Sequence, residues 1–252
     1  MDLFYYLEMR ECELKSFFDD KKYIISISGM DNVGKTTQAN MLNDLYPNIF
    51  SPPIHINQME EFPKLKGKEL SKWWFNKENA QEFVNTIYKC CVQRYEMSLK
   101  MKQPIIVFDK GLNFYDIRVK ATLITMGFKE EEIIEMINTS RKVNQVEYSK
   151  EKLRIIITAE NRDFMKEKGI NDDKQYERYI IKNIELLNKE LKQNNNQIYS
   201  EVKYINNNKE YMHERIIEQI ADLIRKEKGI NIKDLQNQRK INNKYLDEDF
   251  ER

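Results

Sequence analysis

Apolar residues along this chain alternate between two spacings. Tyr23-Ile24-Ile25-Ser26-Ile27-Ser28, Ile105-Ile106-Val107-Phe108-Asp109 and Leu153-Arg154-Ile155-Ile156-Ile157-Thr158 are short runs rich in β-branched residues. Such runs read as strands buried on both faces. Ile54-His55-Ile56, just after Pro52-Pro53, alternates with polar residues and predicts a second strand in chain order. Val202-Lys203-Tyr204-Ile205 predicts the last. Between these runs the period becomes helical. A first helix is expected over about 35–45. A long one runs from an N-cap at Asn76 to about Lys102, with Phe83, Ile87, Cys91, Tyr95 and Leu99 or Ser98 near helical spacing, and Pro104 stops it. Leu112, Tyr115, Val119, Leu123 and Met126 form a stripe closed by Gly127, and an acidic helix spans about 130–140. Arg162 to Lys168 reads as a short basic helix ending at Gly169. Tyr176, Ile180, Ile184, Leu187 and Leu191 mark a helix over about 174–193, and Met212, Ile216, Ile220 and Leu223 one over about 209–227. Residues 58–72 are polar and read as a loop.

Alternating strands and helices predict a three-layer α/β/α domain, with a five-stranded parallel sheet and helices on both faces. Its expected span is 22–227. Residues 1–21 read as an amphipathic N-terminal extension and 228–252 as a polar, asparagine-rich tail.

Composition narrows the function. Lys and Arg number 42 and Asp and Glu 41, for a net charge of +1. A general nucleic-acid binder usually carries a basic surplus, so no nucleic-acid partner is expected. No apolar run reaches the ~18 residues that a membrane-spanning helix needs. The start of the chain lacks a secretory signal, and three cysteines make no framework of pairs, which together predict a reduced, cytoplasmic protein.

Glycine is scarce, with seven in 252 residues, and two of them sit in Gly29-Met30-Asp31-Asn32-Val33-Gly34-Lys35-Thr36. This segment fits the phosphate-loop pattern G-x-x-x-x-G-K-[ST] and lies between a predicted strand and a predicted helix, as that motif requires. Backbone N–H groups from Gly29 through Thr37 would cradle the phosphates of ATP. Lys35 would reach the β- and γ-phosphates and Thr36 would offer its hydroxyl to Mg²⁺. A carboxylate at the tip of a neighbouring buried strand usually serves the same metal, and Asp109 stands there. The expected cofactors are therefore ATP and Mg²⁺.

The segment from Gly29 to Gln38 goes beyond the general motif. Asp31 and the Thr37-Gln38 pair resemble the loop of thymidylate kinases, G-x-D-x-x-G-K-T-T-Q. The resemblance covers about 22–226. It implies a P-loop kinase fold, transfer of phosphate from ATP to dTMP and a homodimer. Arg94, in Gln93-Arg94, resembles the arginine that binds the acceptor phosphate in that family. Residues 160–178, with Arg162, Lys166, Lys168, Asp172 and Arg178, resemble its lid, and Arg162 is the expected lid arginine at the transferring group. The acceptor side departs from the family. Asp109-Lys110-Gly111 stands for Asp-Arg-Tyr, Arg118-Val119 for a Tyr-Gln pair, and Glu60-Glu61-Phe62-Pro63 for Arg-Glu-Pro-Gly. Lys110 is a candidate for the transferring or acceptor phosphate, Glu60 or Glu61 for a general base toward a hydroxyl acceptor, and Phe75, with Trp73, Trp74, Phe114 and Tyr115, for stacking on a base. A nucleoside or another small metabolite therefore stands as an alternative acceptor, and a regulatory ATPase as a second alternative. His55 and His213 have no partner in the sequence that suggests chemistry.

Overall fold

A computed structural model of the chain describes residues 21–146, 151–158, 174–193, 199–203 and 208–227. Strand β1 (Tyr23–Gly29) is buried along its whole length. It pairs in parallel with β2 (Ile105–Asp109) on one side and β3 (Glu151–Thr158) on the other, and β3 pairs in parallel with β4 (Tyr199–Lys203). The order is β2-β1-β3-β4. The helices are α1 (Lys35–Leu45), α2 (Gly67–Trp74), α3 (Ala80–Leu99), α4 (Leu112–Thr125), α5 (Glu130–Val143), α6 (Lys174–Gln193) and α7 (Lys209–Glu227).

The alternation of side chains along each strand builds two cores. Ile25, Ile27, Val107 and Ile155 point to one face, where Ala39 and Leu42 of α1, Ile180 of α6 and Ile216 of α7 cover them. Ile24, Ile106 and Phe108 point to the other, against Phe83 and Ile87 of α3 and Ile133 of α5. Helix α4 serves both cores, with Phe114, Ile117 and Ala121 on one and Leu112, Tyr115, Val119 and Leu123 on the other. The expected three-layer α/β/α arrangement is present.

The sheet has four strands, not five. Segment 49–54 lies parallel beside β2, but only as isolated bridges from Phe50 to Ile105 and from Ile54 to Phe108. The cause is local. Pro52 and Pro53 have no N–H to donate. The N–H of Val107 bonds the hydroxyl oxygen of Ser51 instead (3.0 Å), and the ladder resumes where Ile54 N–H donates to Val107 (2.9 Å). The predicted strand at 54–56 is replaced by this broken edge and a 3₁₀ turn at Ile56–Gln58.

Three further expectations need correction. Residues 58–72 are not all loop, because α2 begins at Gly67 and lays Leu70, Trp73 and Trp74 on the second core. The long helix starts at Ala80 rather than Asn76. Asn76 instead caps a preceding 3₁₀ turn, accepting from Glu78 N–H at 3.1 Å. Strand β4 starts at Tyr199, three residues before Val202. The N-terminal extension up to residue 20, the lid residues Arg162, Lys166, Lys168 and Asp172, and the tail 228–252 lie outside the described residues. Among the described residues no helix is long and apolar enough to cross a membrane.

Candidate active site

The register of β1 and β2 sets up the site. Ile27 pairs with Asp109, so the carboxylate emerges from β2 two residues short of Gly29 on β1. In a parallel sheet, ligands bind beyond the carboxyl ends of the strands. The loop between β1 and α1 turns through three residues of positive φ, Gly29 (139°), Asn32 (69°) and Gly34 (78°). At Gly29 this freedom cannot be replaced, because a Cβ there would lie 2.3 Å from the Ile157 carbonyl oxygen. Gly29→Ala is expected to cost at least about 2 kcal/mol and to destroy nucleotide binding. Thermal melting and titration with an ATP analogue check this. Val33 anchors the loop in the core, while Thr36 and Thr37 are exposed at the start of α1, with its free N–H groups and positive dipole end.

Lys35 is buried and bonds its Nζ to the Met30 carbonyl across the loop. Burial, then the nearby Lys110, push its ammonium down to about 7, against the pull of Asp31 and Asp109. Asp109 is 5% exposed; its Oδ2 is hydrogen-bonded to His55 Nδ1 at 2.7 Å and lies 3.9 Å from Lys110 Nζ. Burial alone would raise the Asp109 carboxyl, but the bond from His55 and the charge of Lys110 hold it down at about 2. Its other oxygen, Oδ1, is buried without a hydrogen-bond partner among the described residues. A buried, unpartnered carboxylate oxygen of this kind at a strand tip fits a magnesium ion completed by phosphate oxygens.

Lys110 follows with φ 68°, so the chain turns sharply at the strand tip. Gly111 N–H donates to Ser28 Oγ (2.9 Å), and Leu112 N–H to Glu151 Oε1 (2.9 Å). Glu151 thus caps α4 from β3, and it also accepts from Ser26 Oγ (2.9 Å) and Arg154 Nε (3.1 Å). A Cβ at 111 would fall 2.5 Å from Glu151 Oε2 and 2.6 Å from Ser26 Oγ, so a larger residue there would displace this cap. Arg94 braces the same turn from below. Its Nη1 donates to the carbonyls of Asp109 (3.3 Å) and Lys110 (2.6 Å), and its guanidinium lies 4.1 Å from the Phe108 ring centre.

Beside the strand tips opens a cleft of about 500 Å³. Phe62, Pro63, Leu70, Trp74 and Tyr115 form its apolar wall, and His55, Asp109, Lys110, Arg118, Lys64 and Lys66 its polar one. Arg118 projects from α4 to bond Asp31 Oδ1 of the phosphate loop at 3.1 Å, and the Tyr176 hydroxyl of α6 donates to Asp31 Oδ2 at 2.9 Å. Burial alone would raise the Asp31 carboxyl, but Arg118, Lys110 and Lys35 hold it well below the usual carboxylate range.

The structure therefore brings together Gly29, Asp31, Asn32, Val33, Gly34, Lys35, Thr36, Thr37, Asp109 and Lys110. Arg94, Glu61 and Phe75 stand apart from the cleft, as do Trp73 and Phe114. Arg94 is buried beneath it; Glu61 pairs with Lys89 at 2.6 Å; Phe75 packs on Tyr179 with ring centres 5.6 Å apart. Arg162 lies outside the described residues. Sequence reasoning missed His55, Arg118 and Glu151. For Arg118 one signal existed: it occupies the place where the resemblance expects a Tyr-Gln pair.

No protein-family description and no curated protein matches the chain at the sequence level. Solved structures do. Deoxyadenosine kinase from M. mycoides with bound dATP superposes with a TM-score of 0.58 at 13% identity, over 79% of this chain and 99% of that one. Thymidylate kinase from Candida albicans gives 0.55 at 18% identity, over 82% and 93%. The M. mycoides enzyme with bound dCTP gives 0.52 at 12% identity, over 79% and 99%. The chain shares the α/β fold of these P-loop kinases, with a parallel sheet flanked by helices.

Proposed function

We propose that the chain transfers the γ-phosphoryl group of ATP to a nucleoside monophosphate, with dTMP the expected acceptor and dTDP and ADP the products. One observation carries the reading. A cleft joined to the phosphate loop through the Arg118–Asp31 pair has a charged wall of four Lys or Arg side chains against the single carboxylate of Asp109. Such a wall suits an anionic acceptor. The shared fold with a thymidylate kinase supports it, and the shared fold with a deoxyadenosine kinase supports a kinase without choosing the acceptor. The choice of thymidylate rests on Asp31 and Thr37-Gln38 in the loop.

In this reading an oxygen of the acceptor phosphate attacks the γ-phosphorus, and the bond from that phosphorus to the β-phosphate oxygen breaks, leaving ADP. That acceptor is already ionised and needs no general base. The loop N–H groups hold the β-phosphate, and Lys35 offsets charge on the transferred group. Magnesium, held by Thr36 and Asp109, would neutralise charge on the β- and γ-phosphate oxygens. Arg162, from the lid expected at 160–178, adds a further cation, and a closed lid keeps water from the reaction.

The His55–Asp109 pair favours a second reading, in which the acceptor is a hydroxyl and the imidazole takes its proton. Coupled ADP release, measured across nucleosides, nucleotides and small alcohols, separates the two. The first reading expects turnover with a deoxynucleoside monophosphate. Turnover with a nucleoside alone would overturn it in favour of the second.

A further inference from the structure

We propose that Arg118, with Lys110, grips the phosphate of the acceptor, and that Arg94 positions the β2 turn instead. This rests on the nucleotide-kinase reading, since it names the residues that hold that reading's acceptor. Arg94 is 1% exposed, and its Nη1 already serves the carbonyls of Asp109 and Lys110. It contributes nothing to the cleft wall.

Arg118 has the opposite placement. It lines the cleft together with Lys110. Its guanidinium lies between the rings of Trp74 and Tyr179, 5.3 Å and 5.6 Å from their centres, so its plane is fixed in advance. Its Nε, like that of Arg94, is buried and without a hydrogen-bond partner among the described residues, so lining of the cleft is what separates the two. Its ion-pair partner, Asp31, belongs to the phosphate loop itself, so the guanidinium sits one ion pair away from the donor's phosphates. A guanidinium fork matches two phosphate oxygens, and Lys110 adds a point charge beside it. Lys35, Lys110 and Arg118 gather around Asp31 and Asp109, three basic groups against two carboxylates. An acceptor phosphate adds negative charge to this basic cluster and competes with Asp31 for the guanidinium. Arg118 is thus a substrate-binding residue that selects for a phosphorylated acceptor.

The test is calorimetric titration, with a non-hydrolysable ATP analogue present, of the four deoxynucleoside monophosphates and their parent nucleosides. The wild-type chain is expected to bind one monophosphate more tightly than its nucleoside. Arg118→Gln is expected to weaken that monophosphate on the order of 10- to 100-fold and to leave the nucleoside unchanged, with Arg118→Lys recovering part. Because Arg118→Gln removes the charge partner of the half-buried Asp31 carboxylate, the double variant Arg118→Gln/Asp31→Asn is measured as well, with its fold verified by melting. It should show the same selective loss. A folded double variant with wild-type monophosphate affinity would overturn the role of Arg118 alone. A wild-type chain that binds the ATP analogue but prefers no monophosphate would overturn the nucleotide-kinase reading together with it.

Discussion

Lys35→Ala is expected to lower the rate of phosphoryl transfer by at least about 10³-fold while leaving the fold in place. The reason lies in where the side chain sits. Its ammonium bonds Met30 across the phosphate loop, within the fields of Asp31 and Asp109. Charge that develops on a transferring phosphoryl group is stabilised most by cations held there in advance, in a site with little water. Among the loop residues 29–36, Lys35 is the one cation. Its removal should cost little stability, because burial and Lys110 already disfavour its charged form. Steady-state kinetics and thermal melting check both halves. A variant within tenfold of wild-type turnover would remove the loop from the chemistry.

Arg94→Ala should do the reverse, with the larger effect on stability. The substitution strips the Asp109 and Lys110 carbonyls of a charged donor and leaves a void against Phe108. Charged hydrogen bonds and core voids of this kind together cost at least about 3 kcal/mol. For a domain of this size that is a fall in Tm of roughly 6–12 °C. Activity should fall through misplacement of Asp109 and Lys110, seen mainly in kcat. An unchanged Tm with a raised acceptor KM would show instead that Arg94 binds the acceptor, as the resemblance to thymidylate kinases implies.

The difference between what the sequence revealed and what it hid follows from distance along the chain. The phosphate loop was legible because its chemistry is contiguous: eight successive residues carry the turn, the lysine and the hydroxyl. The strands were legible because a sheet buried on both faces needs unbroken apolar runs, and β1 and β2 begin where those runs begin. The edge segment was misread because the alternation at 54–56 suggested a strand, while Pro52 and Pro53 upstream removed its ladder donors. Helix α2 was missed because its short apolar face, Leu70, Trp73 and Trp74, is set among lysines. The acceptor side depends on pairs that no local pattern shows. Arg118 meets Asp31 across 87 residues, Tyr176 meets Asp31 across 145, and His55 meets Asp109 across 54. Arg94 was legible as an acceptor-phosphate candidate through the family resemblance. Its partners are backbone carbonyls at a strand tip, and sequence does not distinguish those from a phosphate.

The central claim is that the loop hands a phosphoryl group to a second nucleotide. The most direct test follows ³¹P NMR spectra of the chain incubated with Mg·ATP and dTMP. The claim predicts that the ATP β- and γ-signals and the dTMP signal decline together while two new pairs of diphosphate signals grow, one from ADP and one from dTDP, with little inorganic phosphate. Orthophosphate growing in step with ADP while the dTMP signal stays constant would contradict it, and would mark the chain as an ATPase.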